Sequence, residues 1–184
     1  MLYRILRPFI KLFTLVFLRP KIVGSENIPY NGRIIIAGNH INNLDCFLLI
    51  SSTKRTIHFL AKRELFTGFK SIIFSNMGLI SVDRSRHCPE VIEEACDYLN
   101  DDEVIGIFPE GTTEKGKREL LPFKKGAVRL ASSTNSKIVY FKIVGDYKLF
   151  SNNLKIIFGK PYLVSDNIDK ENEILKNKIN DLEE

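Results

Sequence analysis

The 184-residue sequence has few cysteines, no long uncharged run near its start and no serine-nucleophile signature. Its three cysteines, Cys46, Cys88 and Cys96, are odd in number and lack CxxC spacing. They suit a reducing compartment better than a disulfide framework or a zinc site. In the apolar N-terminal stretch the longest uncharged run is Leu12–Leu18, seven residues. A membrane-crossing helix needs about 20. A secretory signal would show an unbroken apolar stretch and a small-residue cleavage site, whereas Lys11 interrupts this one and Arg19-Pro20 follows it. Gly-x-Ser-x-Gly is absent, so a covalent acyl-enzyme is not suggested. Cys46 adjoins Asp45, whose charge disfavours a thiolate. Helix packing is its expected role.

Acidic residues are missing from positions 1–21, which hold Arg4, Arg7, Lys11, Arg19 and Lys21. The whole chain carries +5, from 27 Lys and Arg against 22 Asp and Glu. Residues 22–165 contribute 19 basic and 15 acidic groups, and residues 166–184 contribute 3 and 7. Beyond residue 21 the chain is balanced, so a nucleic-acid surface is not expected. Residues 1–21 read as a basic amphipathic segment for the membrane interface, although a helix packed on the domain with solvated charges has the same composition. Each cation near an anionic surface adds about 1 kcal/mol. Pro8 is expected to limit a straight helix or to mark its first turn. The expected division is 1–21 interface segment, 22–165 α/β domain and 166–184 acidic helix packed on the same domain.

Short β-branched runs alternate with helical patterns. Strands are expected at Arg33–Gly38, Thr56–Ala61, Gly78–Val82, Glu103–Phe108, Lys137–Val144 and Leu154–Phe158. Helices are expected at Leu44–Ser52, with Asn42 or Asn43 as cap, and at Pro89–Asn100, Lys124–Ser132 and Ile168–Leu182. Glu64–Asn76 reads as helical or mixed. In Pro89–Asn100 the apolar set is Val91, Ile92, Ala95, Cys96 and Leu99. The fold class expected is α/β, with a mainly parallel sheet flanked by helices and a short amphipathic N-terminal helical segment.

The residues able to do chemistry follow strands, where α/β sheets bind ligands. His40 and Asp45 come first, in Asn39-His40-Ile41-Asn42-Asn43-Leu44-Asp45. A histidine is a general base near neutral pH, and a carboxylate fixes its tautomer. Their spacing of five is not a same-face helical spacing, so a turn must bring them together; capping a helix start is the other reading. Gly78–Arg84 ends in Asp83-Arg84, and an arginine there can grip a phosphate or form a surface ion pair. Phe108-Pro109-Glu110-Gly111-Thr112-Thr113 offers backbone N–H groups to an anion. Gly111–Lys117 spells G-x-x-x-x-G-K, but Arg118 stands where a P-loop needs Ser or Thr, so nucleotide binding is not expected. Lys62-Arg63-Glu64-Leu65 and Phe123-Lys124-Lys125-Gly126 put further cations near strand ends, as ligand groups or as solvated charge.

Asn-His-x4-Asp, then Gly-Leu-Ile-Ser-Val-Asp-Arg, then Phe-Pro-Glu-Gly-Thr, in this order, resembles the glycerolipid acyltransferase family, best known for 1-acyl-sn-glycerol-3-phosphate acyltransferases. The resemblance covers roughly residues 22–160. It implies that His40 takes the proton of a glycerol hydroxyl while Asp45 orients it, and that this hydroxyl attacks an acyl thioester directly. It implies that Lys62, Arg84, Glu110, Gly111 and Thr112 bind the acceptor, a lysophospholipid such as lysophosphatidic acid. The donor is acyl-CoA or acyl-carrier protein, and no metal or redox cofactor is implied. An anionic membrane surface is the implied partner, and the cytoplasmic face of the cell membrane, reached peripherally or monotopically, the implied location. Two departures bear on the acceptor. Thr113-Glu114 replaces the usual Arg-Ser, and Tyr140 stands where an apolar strand of the family ends in Pro. A different lyso-lipid acceptor, a catalytically silent lipid-binding domain and a thioester hydrolase are the competing readings.

Overall fold

The computed structural model describes residues 2–83, 89–113 and 120–182. Its centre is strand β2 (Ile34–Gly38), a β-branched run in which every residue is buried. Such a run fits a strand covered on both faces. Around it lie β1 (Lys21–Val23), β3 (Ile57–Lys62), β4 (Ile80–Val82), β5 (Val104–Ile107), β6 (Lys137–Val144), β7 (Lys155–Phe158) and β8 (Tyr162–Leu163). The sheet order is β1-β7-β6-β2-β5-β3-β4, with β8 also on β6. Pairing is parallel except where β7 and β8 meet β6. This is the expected mainly parallel α/β architecture. The sequence reading missed β1 and β8, which are too short to show a period.

Period-two alternation divides the core. Ile34 and Ile36 face one side, with Tyr3, Leu18, Leu48, Phe141 and Ile143. Ile35 and Ala37 face the other, with Ala95, Leu99, Ala127 and Leu175. Each isoleucine withdrawn from water contributes about 1.5–3 kcal/mol. The first side is covered by α1 (Leu2–Phe13) and α2 (Asp45–Ser52), with α3 (Phe69–Asn76) against α1. The second is covered by α4 (Pro89–Asn100), α5 (Gly126–Thr134) and α6 (Ile168–Asn180). Ile92 departs from the expected face of α4 and is exposed.

Pro8 lies inside α1 and neither starts nor ends it. The helix then widens into a π-helical turn, Thr14–Leu18, in which the Thr14 hydroxyl donates to the Ile10 carbonyl. The inner side of this segment buries Tyr3, Thr14 and Leu18. Its outer side leaves Ile5, Phe9, Leu12 and Val16 exposed, close to one helical stripe by their spacing. Among the described residues no helix is long and apolar enough to cross a membrane.

Candidate active site

Asn39 follows β2 and is buried, and its side chain closes two bonds with Ile143 of β6: Nδ2 donates to the carbonyl at 2.8 Å and Oδ1 accepts from the N–H at 2.7 Å. This clamp continues the β2–β6 register, in which Gly38 faces Phe141. A Cβ at Gly38 would collide with the Phe141 carbonyl and ring, so the close approach there requires glycine. His40 is thereby fixed at the carboxyl end of the central strand.

The chain then turns tightly enough for a residue five positions on to return. Asp45 Oδ2 accepts from His40 Nδ1 at 2.7 Å, from Ile41 N–H at 2.8 Å and from Asn42 N–H at 3.0 Å. The carboxylate is fully buried at the first residue of α2. It supplies the local bonds that an asparagine cap was expected to supply. Leu44 holds the cap position without a side-chain bond, and Asn42 Oδ1 accepts from Leu44 N–H instead. An ionised carboxylate only accepts, so His40 Nδ1 carries the proton and Nε2 presents its lone pair. Among the described residues nothing is hydrogen-bonded to Nε2. The His40 ring stacks on Phe108 at 4.0 Å between centroids.

The second carboxylate oxygen has a partner the sequence reading missed. Tyr147, in the connection after β6, donates its hydroxyl to Asp45 Oδ1. Burial, together with the Asp45 charge, pushes the Tyr147 phenol far above its ordinary range and keeps it a donor. Its 102-residue separation from Asp45 left no local signal. Burial, with Asp45 beside it, pushes the Cys46 thiol up to about 12. Cys46 is thus no nucleophile near neutral pH, and it packs against the core as expected.

Glu110 follows β5 and is buried. Its Oε1 accepts from the His40 backbone N–H at 2.9 Å and its Oε2 from Leu121 N–H at 3.2 Å. The third motif is thus tied to the first. Gly111 has φ of +68°, which suits glycine, and a Cβ there would lie 3.1 Å from Lys124 Nζ. Lys124 therefore comes over the loop, while Lys125 turns away to pair with Asp169. Thr112 is exposed on this loop, and Lys62 is exposed at the carboxyl end of β3, the same end of the sheet. Arg84 and residues 114–119, which include the second half of the P-loop-like stretch, lie outside the described residues. Thr113 Oγ1 is 3.5 Å from Asn43 Oδ1. Tyr140 sits on the opposite face of the sheet, with Tyr162 at 6.0 Å and the Lys178 ammonium over its ring.

Among the described residues no three His, Cys, Asp or Glu side chains gather as a metal site. A cleft of about 600 Å³ opens at the other end of the strands, between Arg4, Lys54, Arg55 and Glu103, remote from His40. Among the described residues the arrangement at His40 is a buried carboxylate, an oriented imidazole with an open nitrogen, and cations on neighbouring loops. It can abstract a proton beside an anionic ligand without a protein nucleophile.

Three comparisons bear on this geometry. The acyltransferase family model matches residues 19–144. The 1-acyl-sn-glycerol-3-phosphate acyltransferase of Borreliella burgdorferi is 33% identical over 136 residues, covering 72% of this chain and 54% of that protein. The enzyme of the same name from Bacillus subtilis is 30% identical over 147 residues, covering 77% of this chain and 72% of that one. The chain thus spans about half the length of the first relative and most of the second. In fold it is similar to the crystal structure of the acyltransferase PlsC from Thermotoga maritima, with a TM-score of 0.78, 21% identity, and coverage of 97% of this chain and 76% of that one.

Proposed function

The chain belongs to the acyltransferase family, and we propose that it transfers an acyl chain from an acyl thioester to the free hydroxyl of lysophosphatidic acid. The observation that carries this reading is the 2.7 Å bond from His40 Nδ1 to fully buried Asp45, which leaves Nε2 open. In the proposed reaction Nε2 takes the hydroxyl proton as the acceptor oxygen attacks the thioester carbonyl. The tetrahedral intermediate collapses with loss of the thiolate, and the imidazolium returns the proton to it. Asp45 holds the tautomer and faces the transient positive charge. Phe108 supports the ring.

Lys62, Arg84, Gly111 and Thr112 bind the acceptor in this reading, and Lys124 adds a cation over Gly111. Glu110 sets the loop facing the glycerol region, since both its oxygens hold backbone amides. The donor is acyl-CoA or acyl-carrier protein. The exposed stripe of Ile5, Phe9, Leu12 and Val16, beside Arg4 and Lys11, lies on an anionic membrane surface at the cytoplasmic face.

Purified protein, given acyl-CoA or acyl-carrier thioester and lysophosphatidate, is expected to form phosphatidate, and His40→Ala to reduce transfer by at least about a hundredfold with the fold intact. Retained turnover in that variant refutes the assignment of the base. Thr113, standing where the family carries arginine, favours a second reading in which another lyso-lipid is the acceptor. An acceptor panel separates the two, because clear preference for lysophosphatidate removes the second. Vesicle binding without transfer to any acceptor would mark a silent lipid-binding domain, and thiol release without acylated product a hydrolase.

A further inference from the structure

The connection from β6 to β7 spans residues 145–154, although about two to five residues suffice to join antiparallel neighbours. Its root serves the site, because Tyr147 reaches Asp45. Its tip does not. Leu149 and Phe150 are 59% and 56% exposed. The tip is fastened to the N-terminal segment, where Phe150 N–H donates to the Phe17 carbonyl at 2.6 Å. The two rings are 5.5 Å apart, and the Arg19 guanidinium lies 5.5 Å over the Phe150 ring. Arg19 and Phe150 both have left-handed backbones, φ +46° and +59°. For a bulky residue that conformation is an outlier that the surroundings must enforce. Below the junction, β1 pairs with β7, Lys21 opposite Lys155.

The exposed apolar stripe of α1 therefore continues through Phe17 into Phe150 and Leu149 as one surface. Toward the junction the cations next to these residues in the chain are Lys11, Arg19 and Lys148, with Asp146 as the acid within the connection. An apolar strip edged by cations is complementary to an anionic lipid interface. The Phe17–Phe150 part of this surface stands at the end of the molecule that carries His40. β6 runs parallel to β2 and passes its end, so the connection rises beside His40.

We propose that the Lys148–Phe150 tip is a second bilayer-contacting element, which docks on anionic lipid together with residues 1–21. The inference rests on the reading of that segment as an interface anchor. It places the lipid surface next to the base and makes the connection that holds Asp45 part of the docking surface.

The chain has no tryptophan, so Leu149→Trp introduces a sole indole reporter. With vesicles of phosphatidylcholine and phosphatidylglycerol in equal parts, its emission should move to the blue and be quenched by bromine on the acyl chains. Ile92→Trp, on exposed α4, should do neither. Leu149→Glu should weaken binding to the same vesicles about tenfold, with an unchanged melting temperature. Phe9→Glu/Leu12→Glu tests the N-terminal reading separately. Loss of binding in that variant with none in Leu149→Glu, and no quenching of the reporter, overturns the proposal but leaves the anchor. The reverse result removes the anchor reading and, with it, the joint docking proposed. A blue shift that follows protein concentration without vesicles identifies a second copy as the occupant and overturns the proposal.

Discussion

Replacing Asp45 by asparagine separates orientation from charge at the base. Three donors converge on the Oδ2 position, and two of them are the backbone amides of Ile41 and Asn42. An amide side chain has one accepting oxygen and one donating nitrogen. Its oxygen must take the Oδ2 position, because the backbone amides cannot accept. Its NH2 group then faces Tyr147, whose hydroxyl can accept as well as donate. His40 keeps its proton on Nδ1, and what disappears is the negative charge facing the imidazolium. Unit charges about 4 Å apart at an effective dielectric of about 20 attract by about 4 kcal/mol. Full burial of Asp45 argues against heavy solvent screening. The turnover of Asp45→Asn at saturating acceptor should thus fall about a thousandfold, with the acceptor KM little changed. Thiol release from acyl-CoA reports it. Turnover within about tenfold of the parent would mean that the Asp45 charge does not stabilise the imidazolium.

Tyr147→Phe leaves Asp45 Oδ1 without its described donor, and a hydrogen bond to a charged group contributes about 1.5–3 kcal/mol. A calorimetric melt should show a fall of about 3–12 °C, and an unchanged melt would mean that the bond carries no stability. His58 is buried, stacks on Tyr98 at 3.7 Å and bonds the Gly78 carbonyl through Nδ1 at 2.8 Å. Burial lowers its pKa below 6.5, so the unfolded chain binds the proton more readily. Its contribution is fully present above about pH 6.5 and declines as pH falls through that value toward the folded pKa. Melts of the parent and of His58→Phe across this range should show a shallower acid decline in the variant. Thr113→Arg should sharpen preference for a phosphate-monoester acceptor in the panel, and an unchanged ranking would remove Thr113 as a determinant.

The strands and helices were legible where the pattern is local. The all-buried Ile34–Gly38 run and the helix over Pro89–Asn100 could be read directly. β1 could not, because its three residues are held by pairing with β7, more than a hundred positions away. The same division runs through the site. His40, Asp45 and Glu110 are visible as residue types after strands, and motif order supplied their association. The turn that closes the five-residue gap depends on buried Asp45 accepting two backbone amides, which spacing does not encode. Tyr147 and the Asn39 clamp reach the site only through the β2–β6 register.

The two departures from the family pattern do not weigh equally once they are placed. Tyr140 is across the sheet from Asp45, packed with Tyr162 beneath Lys178 and filling the space at Gly159. It replaces packing and is removed from the acceptor side. Thr113 is on the loop that carries Gly111, next to Asn43 of the turn between the dyad residues. The cation missing there is an arginine, whose planar fork fixes a phosphate's orientation as well as its charge. Lys124 over Gly111 and Lys62 at the end of β3 offer point charges in its place. With Arg84 as the remaining arginine of the proposed acceptor site, the headgroup is held by fewer oriented donors. On the proposed chemistry, placement of the acceptor hydroxyl then depends more on how the lipid is held at the surface beside His40. In the docking proposed above, Phe17, Leu149 and Phe150, which are exposed and in part in contact, are that surface, so the loss of an arginine at Thr113 and the apolar face along α1 bear on the same placement.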